Sequence, residues 1–97
     1  MINELQTPQR SEKTEEKGKV SQPFNVVLYN DDVHSFDEVI IQLIKALRCS
    51  ITAAQRFAFE AHVKGKSIIY SGDLPKCLQI TSVLDEIGLN TEIDTER

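Results

Sequence analysis

Apolar residues gather in short runs along this chain, and the period of each run, with the residues that bound it, predicts an element. Phe24-Asn25-Val26-Val27-Leu28-Tyr29 is β-branched and aromatic and stops at Asn30-Asp31-Asp32, which predicts a strand followed by a tight turn. Ser35-Phe36-Asp37-Glu38 has the Ser-x-x-Glu form of a capping box. Phe36, Val39, Ile40, Leu43, Ile44 and Leu47 then recur on one face at helical spacing, so a helix is expected over 36–47. A second start signal at Thr52-Ala53-Ala54-Gln55 leads into Phe57, Ala58, Ala61 and His62, and Gly65 offers a left-handed stop; this predicts a helix over 53–64.

Ser67-Ile68-Ile69-Tyr70 reads as a short strand. Asp73 reads as the cap of a third helix, with Pro75 tolerated in its first turn and Gly88 as its stop. Residues 89–94 alternate weakly and are expected to form a last strand. The order strand, helix, helix, strand, helix, strand suggests an α+β fold of three helices packed on a small, mostly antiparallel three-stranded sheet. Residues 1–22 carry only scattered apolar side chains, too few to offset the entropy of ordering, and are expected to form a flexible tail ahead of a folded domain at 23–97.

Composition narrows the class of function. A chain of 97 residues with 40% hydrophobic and 27% charged side chains has room for one core, and a shallow site is the better expectation than a deep catalytic one. The net charge of −4 falls entirely on the folded part, because Arg10, Lys13, Lys17 and Lys19 balance Glu4, Glu12, Glu15 and Glu16 in the tail. No basic stripe suited to phosphates is present, so nucleic acid is not an expected partner. Cys49 and Cys77 lack metal-ligand spacing, and no signal sequence or long apolar run accompanies them. A reduced, cytoplasmic, monomeric protein that needs neither membrane nor cofactor is the expectation.

The chemistry concentrates at Asn30-Asp31-Asp32-Val33-His34 and at His62, on the otherwise apolar stripe of the second helix. An amide, two carboxylates and an imidazole form a cluster of hydrogen-bond acceptors, as an ammonium group with three donors requires. The same set, Asp31, Asp32, His34 and His62, could alternatively bind a divalent metal and serve a small metal-dependent enzyme. No nucleophile with an evident base and no Gly-rich phosphate loop supports that alternative.

Val27-Leu28-Tyr29-Asn30-Asp31-Asp32, followed by a helix and then by Ala61-His62-Val63-Lys64-Gly65-Lys66, resembles the signature of the ClpS adaptors, and the likeness extends to Gly88-Leu89-Asn90-Thr91-Glu92-Ile93-Asp94. The resemblance implies a non-enzymatic adaptor that binds N-degrons, meaning a free N-terminal Leu, Phe, Tyr or Trp, and delivers them to a ClpA-type or ClpC-type AAA+ unfoldase. It implies that Asn30, Asp31 and His62 contact the α-amino group and first peptide unit, with Asp32 supporting the turn. It further implies that Val39, Ala58, Ala61 and Leu89, with Leu28 beneath, line the pocket for the first side chain. The tail would correspond to the family's N-terminal extension.

Three positions depart from the family pattern. His34 stands where Thr is common, at the pocket rim; Phe36 and Ala58 stand where Met residues are usual. A stiff aromatic on one wall and a methyl on the other imply a reshaped pocket. The third helix is short and carries Pro75 and Ile80 where bacterial members place charged residues that touch the ATPase, which leaves a peptide-binding module of altered specificity or partner as a further reading.

Overall fold

The computed structural model describes residues 22–95; the expected tail at 1–22 lies outside these but for Gln22. Strand β1 (Phe24–Tyr29) is followed by helices α1 (Phe36–Leu47) and α2 (Ile51–Lys64), strand β2 (Lys66–Gly72), helix α3 (Leu74–Asp85) and strand β3 (Thr91–Thr95). The expected order and α+β class hold. The sheet is antiparallel throughout, in the order β2-β1-β3 with β1 at its centre.

β1 holds the middle because it has no polar face left for water: Asn25, Val26, Val27 and Leu28 are all buried. Val26 and Leu28 join the helices in the core, with Leu43, Ala54, Cys77, Ile80, Leu84 and Leu89. Asn25 is the polar exception, and it is satisfied across the sheet by the Ser71 hydroxyl, which donates to its Oδ1. The pairing with β2 slips between Val26 and Val27, so that Val26 faces Tyr70 and Val27 faces Ile68. The bulge leaves Ile69 buried in the core and Ile68 exposed.

α1 begins where the capping box predicts. The Glu38 N–H donates to Ser35 Oγ at 3.1 Å, and the Ser35 N–H donates to Glu38 Oε1 at 2.8 Å. Ser35→Ala removes one of these acceptors and is expected to lower stability by about 1 kcal/mol in urea denaturation. Arg48 ends α1 in the left-handed conformation, its N–H bonded to the Ile44 carbonyl at 2.8 Å.

That sharp turn lets α2 start early. Ser50, not Thr52, is its cap, accepting from the Ala53 N–H at 3.1 Å, and the helix opens at Ile51 instead of Ala53. Asp73 stands at the N-cap of α3 without a side-chain hydrogen bond. α3 ends at Asp85, three residues short of Gly88, because a turn over residues 86–88 intervenes. β2 is longer than expected and β3 begins at Thr91 instead of Leu89.

α1 and α3 are locked by a contact with no signal in the sequence. Buried Gln42 donates to the Val83 carbonyl at 2.7 Å and to Glu86 Oε1 at 3.2 Å, and Lys45 reaches the same carboxylate oxygen at 3.3 Å. The lock holds the end of α3 and so steers the following turn, bringing Leu89 into the core.

Candidate functional site

Two backbone hydrogen bonds position the Asn30-Asp31-Asp32 turn. The Tyr29 N–H donates to the Asn90 carbonyl at 3.0 Å, and the Asn30 N–H donates to the Gly65 carbonyl at 2.9 Å. Gly65 has φ +91°, which a side chain would strain, and its own N–H closes α2 on Ala61 at 2.9 Å. One residue thus ends α2 and docks the turn against the last turn of that helix, which carries His62.

The result is a cleft of about 240 Å³ lined by Leu28, Tyr29, Asn30, Asp31, Asp32, His34, Phe36, Val39, Ala58, Ala61, His62 and Leu89. All eleven residues singled out in the sequence lie on it. Leu28, Val39, Ala58, Ala61 and Leu89 are buried and make an apolar floor, while Asn30, Asp32 and His62 are exposed at the mouth. His62 is therefore not a core histidine on an apolar stripe: it sits one residue past Ala61, where α2 turns toward solvent. Phe36 belongs to the α1 stripe only in part; at 45% exposure it is a wall of the cleft instead of core. The volume falls below the roughly 300–1,000 Å³ of drug-sized sites, so the cleft suits one side chain and its attached backbone.

Asp31 is the best-organised polar group. Its Oδ1 accepts from the Val33 N–H at 2.7 Å and from the His34 N–H at 3.3 Å, and its Oδ2 meets His34 Nδ1. Partial burial pushes the carboxyl's pKa up, but the hydrogen bonds from Val33 and His34 outweigh that and hold it below the usual value. In return, the hydrogen bond to Asp31 raises the His34 pKa against the effect of partial burial, helped by the Asp31 and Glu38 charges and a backbone hydrogen bond with Ile87. The pairing thus favours the charged form of both groups, a carboxylate facing an imidazolium. Asp32 holds the Asn30 amide, accepting from Asn30 Nδ2 at 3.3 Å.

Sequence reasoning missed Tyr29. It lines the cleft, and its hydroxyl is tethered to Glu92 of β3, the residue that follows Thr91 and pairs with Val27. The tyrosine is thereby held across the sheet edge nearest the turn. That bond, with the Glu92 charge, raises the phenol's pKa. The available signal was strand alternation, which places Val27, Tyr29 and Glu92 on one face.

Asp31, Asp32, His34 and His62 share the cleft, yet among the described residues no three His, Cys, Asp or Glu side chains come together to hold a metal ion. Cys49 and Cys77 are both free, and no helix among the described residues is long and apolar enough to cross a membrane.

A polar turn thus faces a helix end over an apolar floor, and the fold that builds this cleft has known relatives. The family model described as "ATP-dependent Clp protease adaptor protein ClpS" matches residues 19–88, most of the chain, and the chain belongs to this family of adaptors. The fold is also that of Agrobacterium tumefaciens ClpS2 bound to L-phenylalaninamide, with a TM-score of 0.70 and 22% identity over 77% of this chain and 98% of that one. The E3 ubiquitin-protein ligase UBR2 of Homo sapiens is 34% identical over 64 residues, 66% of this chain, and its Mus musculus counterpart 32% over 69 residues, 71% of this chain. The chain spans only 4% of the length of either ligase.

Proposed function

We propose that the cleft captures polypeptides by a free α-amino group followed by a bulky apolar first side chain, Leu, Phe, Tyr or Trp. The domain then acts as a monomeric cytoplasmic adaptor that passes them to a ClpA-type or ClpC-type AAA+ unfoldase. The observation that carries this reading is the placement of a charged, pre-oriented Asp31 carboxylate, with Asn30 and His62, at the mouth of a cleft whose floor is apolar. An ammonium brings three donors and a charge that is costly to desolvate unless each is met; Asp31, a ring nitrogen of His62 and the Asn30 carbonyl oxygen supply acceptors for them. Asp32 fixes Asn30 in the position this needs. The floor residues Leu28, Val39, Ala58, Ala61 and Leu89, with Phe36 at the wall, add about 1.5–3 kcal/mol for a buried Leu or Phe side chain.

The ligand in the ClpS2 structure, L-phenylalaninamide, combines a free α-amine with an aromatic side chain, the chemistry this cleft is built to take. Delivery to an unfoldase rests on family membership, not on the cleft. The third helix bears on it in one respect: Ile80 is buried in the core and so cannot touch a partner, which leaves the exposed Pro75 as the departure on that surface.

The test is a fluorescence-anisotropy panel of peptides beginning with Leu, Phe, Tyr, Trp, Ile, Val or Arg, each with a free and an acetylated terminus. Free bulky termini are expected to bind in the micromolar range, and acetylation is expected to weaken them by tenfold or more, the loss of about 1.5 kcal/mol or more from a hydrogen-bonded charge. Equal binding of acetylated peptides would remove the amine site from the account.

A further inference from the structure

His34 does not simply stand at the rim. Its ring lies between the cleft, shared with Asp31 and His62, and a second groove on its other side lined by Glu38, Ile41, Gln42 and Ile87. Nδ1 meets Asp31 Oδ2, the carboxylate oxygen that the Val33 and His34 backbone N–H groups leave free. The one oxygen of Asp31 not occupied by its own turn is therefore already taken by an imidazole. We propose that His34 is a positioning residue and proton-operated counter-ion of the amine site: charged, it occupies Asp31 in competition with an incoming α-ammonium, and neutral, it orients the carboxylate for that ammonium. This rests on the N-terminus reading above and adds regulation to it.

The groups facing His34 fix the sign. Asp31 and Asp32 come from its own turn, Glu38 and uncharged Gln42 from α1, His62 from α2 across the cleft, and the Ile87 backbone from the connection after α3. From β1 Tyr29 lines the same cleft, its hydroxyl engaged by Glu92 of β3. Carboxylates predominate around the ring, so the empty site favours the charged imidazole, and its charge is lost only as pH rises through a value above the usual histidine one, near 6.5. An ammonium arriving at Asp31 reverses that preference. By reciprocity, binding must expel the His34 proton to the same extent that the proton weakens binding.

The experiment compares the wild-type chain with His34→Gln, which can still donate to Asp31 but carries no charge. Affinity for a Phe-initiated peptide is measured from about pH 5.5 to about pH 7.5, where the peptide amine remains largely protonated. Wild-type affinity is expected to rise about fivefold or more across this range, the lower end of ordinary coupling between sites. His34→Gln is expected to bind more tightly than wild type at the acid end and to lose most of the rise. A histidine NMR titration supplies the second readout: the midpoint of His34 should move down on addition of L-phenylalaninamide. Wild-type and His34→Gln profiles that superimpose, or a His34 midpoint unmoved by a bound ligand, overturn the counter-ion role while leaving the capture reading intact. No binding by either chain at any pH overturns both.

Discussion

Asp31→Asn is expected to weaken binding of a Phe-initiated peptide by about 1.5–3 kcal/mol, roughly 10–150-fold. The substitution is chosen because the amide oxygen can still accept the 2.7 Å hydrogen bond from the Val33 N–H, which preserves the turn while removing the charge. The Asp31 side chain is only 12% exposed, so an ammonium bound there would give up much of its water and depend on the carboxylate to replace it. Asp32→Asn should cost far less, since Asp32 faces solvent and bonds only the Asn30 amide. Isothermal titration of both variants, with circular dichroism to verify the fold, measures the contrast. Equal losses at the two positions would mean that general acidity, not a placed carboxylate, attracts the peptide.

Leu43→Ala is expected to be the most damaging single truncation, at about 2–5 kcal/mol. Leu43 is fully buried on α1 among core residues from all three helices and β1, and it does not line the cleft. Its loss leaves a cavity that the surrounding elements fill only in part. Against a total stability of about 5–15 kcal/mol for a domain of ordinary size, such a change leaves the fold marginal. Urea denaturation should show the midpoint fall, while the molecules still folded bind peptide as before. A variant that kept its midpoint would show that the α1 contact is not part of the cooperative core.

The parts of the molecule legible in the sequence are those set by local physics. β1 and α1 have the expected limits because a β-branched run, an Asn-Asp-Asp turn and a reciprocal capping box each act within a few residues. Ser50 as the cap is not legible ahead of Thr52, because it depends on Arg48 taking a left-handed turn, a conformation its side chain does not announce. All eleven candidate site residues were visible as types, and the motif order grouped them. Their division into floor and mouth was not visible: it depends on where α2 lies against the sheet, which moves His62 from a presumed apolar stripe to solvent. Tyr29 was hidden by a partner 63 positions away, and the Gln42–Val83 bond by one of 41. The pairing of His34 with Asp31 spans only three residues, yet a motif match reads His34 as an altered rim residue, where the geometry makes it a ligand of the carboxylate.

The central place of β1 also sets a timetable for the protein's own synthesis. Of the described elements β1 is the first to be synthesised and β3 the last, and β1 needs both β2 and β3 to cover its edges. The backbone bond from Tyr29 to Asn90 and the side chain of Leu89 likewise wait for the final stretch. A nascent chain released short of that stretch would have its Asn30-Asp31-Asp32 turn but neither a closed sheet nor a floored cleft. The cleft is therefore complete only once the last stretch of the chain has been added.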